Sequence, residues 1–195
     1  MSSGFDYDVA IVGAGPAGIG TAVAIDHLEV DSIVLERDCI GASFRQWPAE
    51  MRLLTPSFPA NAFGARDLNA ITPDTSPAFA LDREHPTGDQ YAAYLEAVSE
   101  FHDLPVRTGV DVESVSPGPA TDADGSGFAL ETADGTITSD YVVWAAGQFQ
   151  YPSDGSIPAS SHAVHISSVD RVVSSRGRNG RRDSGLVVIL SDRSQ

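Results

Sequence analysis

The feature that most constrains the fold is a glycine-rich hexapeptide placed directly after a short apolar run. Residues 9–12 (Val-Ala-Ile-Val) form that run, and it stops at a glycine, as a buried parallel strand does. Gly13-Ala-Gly-Pro-Ala-Gly18 then matches the pattern G-x-G-x-x-G. Residues 16–28 are rich in alanine and predict a helix, and residues 32–36 predict a second apolar strand. The chain therefore begins with a strand-helix-strand unit of about 30 residues.

Each glycine of the hexapeptide has a separate task. Gly13 permits the sharp turn from strand to helix, Gly15 lets a diphosphate approach the backbone, and Gly18 lets the helix pack closely on the strand. The first helical residues, Pro16 and Ala17, lie at a helix N-terminus, where free N–H groups and the helix dipole attract an anion. We expect a phosphate-bearing ligand there.

An acidic residue in the right place strengthens this expectation. Glu36 follows Gly13 by 23 residues and ends the second strand. A carboxylate at that position accepts hydrogen bonds from the hydroxyls of an adenosine ribose and disfavours a 2′-phosphate. The sequence therefore predicts a dinucleotide site that suits FAD or NAD better than NADP.

Residues 37–87 show no sustained hydrophobic period and contain six of the twelve prolines. The same segment contains five aromatic residues, among them Phe44 and Trp47. Long loops in compact domains are usually functional or disordered, and the aromatic residues favour an ordered, functional loop.

A helix over residues 88–101 is predicted to follow. Thr87 and Gln90 have the spacing of a capping box. Apolar residues recur on one face of the helix at positions 91, 94, 95, 98 and 101.

The next segment, residues 106–140, predicts an antiparallel meander. Val106 to Val115 has the pattern of a strand pair or one bent strand, and Asp134-Gly135 between two alternating segments indicates a hairpin. Residues 141–147 then predict a return strand that ends in small residues. The predicted fold is α/β, a Rossmann-like domain with a parallel sheet and an inserted antiparallel β-meander.

Composition and charge exclude several classes of function. The formal net charge is −15, with 12 arginines and no lysine, which argues against nucleic-acid binding. Such an acidic, arginine-only chain is typical of a halophilic cytoplasmic protein, or alternatively of an acidic protein from a GC-rich genome. Cys39 is the only cysteine, and neither a signal peptide nor a membrane-spanning run is present, so we expect a cytoplasmic protein that does not enter a membrane.

Residues 8–20 together with Glu36 resemble the FAD site of the flavoproteins that carry two dinucleotide-binding domains. This superfamily includes flavin-containing monooxygenases, Baeyer–Villiger enzymes and thioredoxin-reductase-like proteins. Residues 41–58 and 142–152 are similar to two further segments of the monooxygenase-like branch. The resemblance covers residues 6–168 and implies an FAD-binding domain over residues 1–152 and a linker over residues 153–170.

The resemblance also implies a set of cofactor-binding residues. These are Gly13, Gly15, Pro16, Ala17, Gly18, Glu36, Arg37, Ser43, Phe44, Trp47, Ala145 and Gly147. Phe44 and Trp47 suit either a place beside the flavin or packing within their loop. The small residues at 145–147 either approach the cofactor or pack against the first helix.

The activity that the resemblance implies is oxidation of a small-molecule substrate with oxygen, after NADPH has reduced the flavin. The single cysteine excludes a mechanism that needs a dithiol pair. No residue is assigned a catalytic role. His162 and His165 lie where the monooxygenase-like group often carries a histidine in its linker, and without further ligands nearby they do not predict a metal site.

The final segment departs from the family pattern. The apolar run at residues 185–190 suits the first strand of a second, nicotinamide-binding domain, but no glycine motif follows it. Residues 1–170 carry a net charge of −19, whereas residues 171–195 carry +4. This favours a truncated or frame-disrupted product over a functional basic tail.

Three hypotheses follow from this departure. The chain is an oxidoreductase whose nicotinamide site comes from a second chain, a binding-only FAD module, or an NAD-binding regulatory module.

Overall fold

The structure is a computed structural model and describes residues 4–28, 30–57, 59–62, 65–120 and 126–147. In chain order its elements are β1 (Tyr7–Val12), α1 (Pro16–Asp26), β2 (Ser32–Glu36), α2 (Ala42–Arg45), β3 (Pro59–Ala62), β4 (Ala65–Asp67), α3 (Pro77–Leu81), α4 (Gly88–Phe101), β5 (Val106–Thr108), β6 (Val112–Ala120), β7 (Ser126–Thr132) and β8 (Gly135–Trp144). Six strands form one sheet in the order β5-β2-β1-β8-β7-β6, and β3 and β4 form a separate hairpin.

The sheet has a parallel half and an antiparallel half. β1 pairs in parallel with β2 and with β8, and β2 pairs in parallel with β5. β7 pairs antiparallel with both β8 and β6. This confirms the predicted fold class, a Rossmann-like parallel sheet with an antiparallel meander.

Alternation of side chains along the strands divides the core into two layers. Ile11 and Val34 pack on one face of the sheet with the buried residues of α1 and α4. The alternate strand residues, Ala10, Val12, Ile33 and Leu35, pack on the other face against Val112 and Leu130 of the meander. The meander therefore covers the face of the parallel strands opposite the helices.

The structure corrects the predicted boundary between the meander and the return strand. These two segments are one continuous strand, β8, which ends at Trp144, before residues 145–147. Its first half pairs with β7 and its second half pairs with β1. Ser139 is the point of exchange, because it pairs with both Tyr7 and Phe128 and is completely buried.

The strand pair or bent strand predicted over residues 106–115 is also corrected. β5 and β6 do form, but they lie at opposite ends of the strand order and do not pair with each other. Val112, at the start of β6, packs against residues of β1 and β2. β6 is therefore the edge strand of the antiparallel half, and its first residue also packs on a face of the parallel half.

Helix α4 confirms the capping box, since the backbone N–H of Gln90 bonds the Thr87 hydroxyl at 3.3 Å and the backbone N–H of Thr87 bonds the Gln90 side chain at 3.0 Å. Four of the five predicted apolar positions are buried, at residues 91, 94, 95 and 98. The prediction is wrong for Phe101, which is the last residue of the helix and is 78% exposed. In α1, Ala22 and Val23 are buried whereas Ala17 is exposed.

Candidate functional site

Three chain segments meet where β1 ends. The N–H of Gly13 donates to the carbonyl of Leu35 at 2.8 Å, and the N–H of Ala145 donates to the carbonyl of Val12 at 2.8 Å. The ends of β2, β1 and β8 are therefore fixed side by side. From β1 the chain passes to β2 on one side, while β8 returns on the other, so a crevice opens at the carboxyl ends of the strands. This is where parallel sheets of this kind bind ligands.

Two glycines of the loop formed by residues 13–18, here called the glycine loop, are required by backbone contacts. Gly13 has φ +106°, and a Cβ there would lie 2.5 Å from the carbonyl oxygen of Ala145. A Cβ at Gly18 would overlap the carbonyl oxygen of Gly13. The turn and the close packing predicted for these two glycines are thus present.

Gly15 differs from the other two because it faces open space. Among the described residues, no heavy atom lies within 4 Å of where a Cβ would be placed, and the backbone is extended at φ −83° and ψ −172°. Gly15 is the N-cap of α1, Pro16 opens the helix, and within the described chain no side chain caps it. The N–H groups of the first turn therefore have no side-chain cap from the described residues, and together with the helix dipole they suit an anion.

Glu36 lies at the end of β2 and joins the glycine loop to the turn after β2. Its Oε2 accepts the backbone N–H of Ala14 at 2.7 Å, and its Oε1 accepts the N–H of Asp38 at 3.0 Å. The adjacent Arg37 is exposed. Ala14, which is fully buried, is the residue that the sequence reasoning missed, because a bond to its backbone leaves no trace in side-chain patterns.

Residues 42–47 contain three more of the predicted cofactor-binding residues, Ser43, Phe44 and Trp47. Gly41, in the left-handed region at φ +70°, donates its N–H to the carbonyl of Ala14 at 3.1 Å, and α2 begins at the next residue. Ser43 is exposed, whereas Phe44 and Trp47 are half-buried. The bond from Gly41 to Ala14 links the start of α2 to the glycine loop.

The aromatic rings of this segment pack against α4. Phe44 lies 5.0 Å from Trp47 and 4.8 Å from Tyr91, between ring centroids, and Tyr91 lies 5.6 Å from Tyr94. We call these four residues the aromatic cluster. The sequence suits either a place beside the flavin or packing within the loop for Phe44 and Trp47. The observed ring contacts are packing contacts.

Residues 145–147 form the wall of the crevice on the β8 side. The position of a Cβ on Gly13 is within 3.0 Å of the Cα of Ala146, so small residues here allow the two loops to touch. Gly147 has φ +79°, and no heavy atom of the described residues lies within 4 Å of where its Cβ would be placed. Trp144, just before them, is 59% exposed, and no sequence pattern had indicated this.

The ionisable groups near the crevice do not include a reactive thiol. Burial, followed by the charge of Asp38, raises the pKa of Cys39, which keeps the thiol protonated at neutral pH. Among the described residues, no group of three histidine, cysteine or acidic side chains is arranged to hold a metal ion.

Behind the aromatic cluster lies a buried polar network that the sequence did not indicate. Asp67 is 1% exposed, and its two oxygens accept the hydroxyl of Ser76 at 2.5 Å and the backbone N–H groups of Asn69 and Ala78 at 2.8 and 3.1 Å. The Tyr91 hydroxyl donates to the carbonyl of Asn69 at 2.8 Å. The segment predicted as a loop over residues 37–87 is thus ordered where it is described, and it contains α2, α3 and the β3–β4 hairpin.

The fold and the crevice together define a dinucleotide-binding α/β domain. The sequence matches the pyridine nucleotide-disulphide oxidoreductase family over residues 10–179, so the chain belongs to that family.

Solved structures share this fold. One is the bacillithiol disulfide reductase of Staphylococcus aureus, with a TM-score of 0.60 and 18% identity over 82% of this chain and 44% of that one. Another is a flavin-containing monooxygenase of Stenotrophomonas maltophilia, with a TM-score of 0.55 and 18% identity over 72% of this chain and 38% of that one. OTEMO in complex with FAD and NADP has a TM-score of 0.58 and 16% identity over 85% of this chain and 31% of that one. The chain therefore spans less than half the length of these proteins.

The described helices also bear on membrane insertion. None of those within the described ranges is both long and apolar enough to cross a bilayer.

Proposed function

We propose that this chain binds FAD in the crevice at the end of β1 and forms the FAD-binding part of a flavoprotein oxidoreductase. The observation that carries the proposal is the contrast within the glycine loop. Gly13 and Gly18 are closed in by backbone, whereas Gly15 opens onto free space beside the uncapped N-terminus of α1. A loop built only for a tight turn has no need of that opening, but a bound diphosphate requires it.

The other predicted cofactor-binding residues would contact different parts of FAD. The backbone of Gly15, Ala17 and Gly18 would hold the diphosphate. Glu36, at the end of β2, would hold the adenosine ribose, and the small residues at 145–147 would let the rest of the cofactor lie against the end of β8. Arg37, which follows Glu36, and Ser43, in α2, are exposed and would add contacts to the cofactor.

The aromatic residues take an indirect part in this proposal. Phe44 and Trp47 pack against α4, and Gly41 ties the start of their helix to the glycine loop. Their packing would fix the wall of the site, with the exposed part of the Trp47 ring available to the cofactor.

When bound, FAD supplies the redox chemistry, and the protein supplies binding, orientation and exclusion of water. No described side chain is assigned a proton-transfer or nucleophilic role. The raised pKa of Cys39 is consistent with this assignment, because a protonated thiol is a poor nucleophile.

We further propose that a longer or assembled form is an NAD(P)H-dependent, monooxygenase-like enzyme that acts on a small molecule. OTEMO, whose structure is a complex with FAD and NADP, has the same fold, which supports the two cofactors as a pair. The expected start of the nicotinamide site, at residues 185–190, the domain boundaries at 152 and 170, and the histidines 162 and 165 lie outside the described residues. A second chain is one source of the nicotinamide site.

The test is a visible absorption spectrum of the purified chain, prepared both in concentrated salt and in dilute buffer. We expect one FAD per chain, released on denaturation and rebound by the apoprotein, with FMN binding far more weakly because it lacks the adenosine half. If no flavin co-purifies and none rebinds in either buffer, the proposal is wrong.

The same preparation separates two other functions. Glu36 and the glycine loop also suit NAD, so a colourless protein that is stabilised by NAD and not by FAD is an NAD-binding module. A yellow protein whose flavin is not bleached by NADPH under nitrogen is an FAD-binding module without activity of its own. Bleaching restored by a second polypeptide would show where the nicotinamide site lies.

A further inference from the structure

The carboxylate of Glu36 is already occupied by the protein before any ligand is considered. Oε2 accepts the N–H of Ala14 at 2.7 Å and Oε1 accepts the N–H of Asp38 at 3.0 Å. The carbonyl of the same Ala14 accepts the N–H of Gly41 at 3.1 Å. Glu36 and Ala14 thus connect the glycine loop to the chain that leads into α2.

These bonds act beside the open side of the loop, in addition to the backbone bond from the N–H of Gly13 to the carbonyl of Leu35. Within the described chain no side chain caps α1, and Gly15 contacts nothing at its open face. Bonds from backbone N–H groups to a carboxylate are charge-assisted and therefore among the stronger hydrogen bonds of a protein. They are therefore well suited to hold Ala14, the residue that precedes Gly15.

We propose that Glu36 is a positioning residue, which holds the glycine loop in its ligand-binding conformation in the empty protein. This role rests on the proposed function but is separate from any contact with ribose. An ionised carboxylate offers about four acceptor sites, so two remain for hydroxyl groups after both backbone bonds are made. Glu36 would then do both tasks at once, whereas each task alone would need only half of its acceptors.

The proposal explains why a carboxylate suits this position better than an amide. Glutamine has one oxygen and one NH₂ group, so at least one of the two backbone N–H groups would face a donor. A Glu36→Gln variant could still bond a ribose hydroxyl through either end of its amide. The substitution therefore impairs the positioning role more than the ribose contact.

The experiment compares amide hydrogen exchange and ligand affinity in Glu36→Gln and Glu36→Ala. In the empty protein we expect exchange at Ala14 or Asp38 to become about tenfold faster in Glu36→Gln, and at both residues in Glu36→Ala. In Glu36→Gln, FAD and an FAD analogue that lacks both adenosine ribose hydroxyls should lose affinity by similar factors, about tenfold. In Glu36→Ala, the loss should be larger for FAD than for the analogue, because the ribose contact is removed as well.

The matched control is Asp38→Asn. It removes a neighbouring, exposed negative charge but keeps the backbone N–H that bonds Glu36, so amide exchange at Ala14 should not change. Circular dichroism confirms that each variant is folded, and Glu36→Gln, which is nearly isosteric, keeps the test valid if Glu36→Ala does not fold.

Two results would overturn the positioning role. One is unchanged exchange at Ala14 and Asp38 in both variants. The other is a loss of affinity that disappears with the analogue, since Glu36 would then act on the ribose alone. Failure of the proposed function gives a different result, because the unaltered chain would bind no FAD while amide exchange in the empty variants would still report on the loop.

Discussion

The glycine loop and the aromatic cluster are linked through Gly41, which bonds Ala14 and precedes the helix of Phe44, but they are held by different forces. In the glycine loop, backbone touches backbone, since a Cβ at Gly13 would meet the carbonyl of Ala145 and one at Gly18 would overlap that of Gly13. In the aromatic cluster, side chains do the packing, with ring centroids 4.8 to 5.6 Å apart and a phenol that bonds the carbonyl of Asn69. One region is defined by side chains that are missing and the other by side chains that are present.

This difference determines how each region tolerates substitution. A backbone contact cannot be relieved by another rotamer, so a single added methyl group forces the chain to move. The half-buried rings of Phe44 and Trp47 can shift, so replacement by a smaller side chain there costs mainly the contacts that are lost. We therefore expect a steep response in the glycine loop and a graded one in the aromatic cluster.

The largest effect on the free energy of unfolding is expected for Gly13→Ala. Its φ of +106° is unfavourable for alanine, and its Cβ would lie 2.5 Å from the carbonyl oxygen of Ala145. The free energy of unfolding should fall by at least about 3 kcal/mol. Chemical denaturation followed by circular dichroism measures this loss.

Gly15→Ala is the matched control, because it adds the same methyl group to the same loop at an ordinary φ and in open space. Its unfolding free energy should change by about 1 kcal/mol or less, whereas its affinity for FAD should fall at least about tenfold. If both variants lose stability equally, the distinction between a packed and an open glycine is wrong.

A middle-sized effect is expected for Phe44→Ala in the aromatic cluster. The ring contacts both Trp47 and Tyr91 and is half-buried, so its removal should cost about 2 kcal/mol, less than for a fully buried phenylalanine. Phe79→Ala is the control, since that ring is 70% exposed and should cost under about 0.5 kcal/mol. Equal losses for the two phenylalanines would contradict the cluster as a source of stability.

The same contrast explains how much the sequence could predict. β2 has the predicted bounds, and the turn at Gly13 follows from spacing alone, because only glycine satisfies the backbone there. The sequence predicts two segments where the structure has the single strand β8, because the neighbours of β8 change along its length. Residues up to Ser139 pair with the meander and alternate in polarity, while the residues after it lie beside β1 in a run of apolar side chains. A change of pattern within one strand is indistinguishable from a boundary between two.

Tertiary contacts decided the rest. Phe101 has the period of a buried residue, but the buried face of α4 ends before it, and the ring contacts only the neighbouring His102 among the described aromatic residues. Asp67 is fully buried because Ser76 and two backbone N–H groups are brought to it by folding, and no local pattern around an aspartate indicates that. The spacing of 23 residues from Gly13 predicts the place of Glu36, but no sequence pattern predicts its bonds to Ala14 and Asp38.

A smaller effect concerns alkaline pH and Tyr91. Burial, followed by the charges of Tyr94 and Asp67, raises the pKa of Tyr91 above its ordinary value. Because the folded protein holds this proton more tightly, the contribution to stability is complete below the unfolded pKa of about 10 and is lost as pH rises above it. Tyr91→Phe should therefore lose about 1 kcal/mol at pH 7, through its missing bond to Asn69, and lose less stability than the unaltered chain between pH 10 and 11.

The measurement is urea denaturation at several pH values, with ultraviolet absorbance reporting tyrosinate in the folded protein. An equal loss of stability in both proteins above pH 10 would show that Tyr91 ionises as freely in the fold as outside it.

The smallest effect is expected for the ion pair between Arg45 of α2 and Glu96 of α4, whose side chains lie 2.6 Å apart and are 35% and 38% exposed. A surface pair of this kind contributes about 0 to 1 kcal/mol. The chain carries a net charge of −15, so salt should stabilise the whole fold by screening repulsion while it weakens this one attraction. A double-mutant cycle of Arg45→Gln and Glu96→Gln, measured in dilute and in 1 M salt, separates the two opposite responses. The coupling energy should fall with salt while the stability of all four proteins rises; a coupling energy that grows with salt would mean that packing of the Arg45 stem, and not its charge, joins α2 to α4.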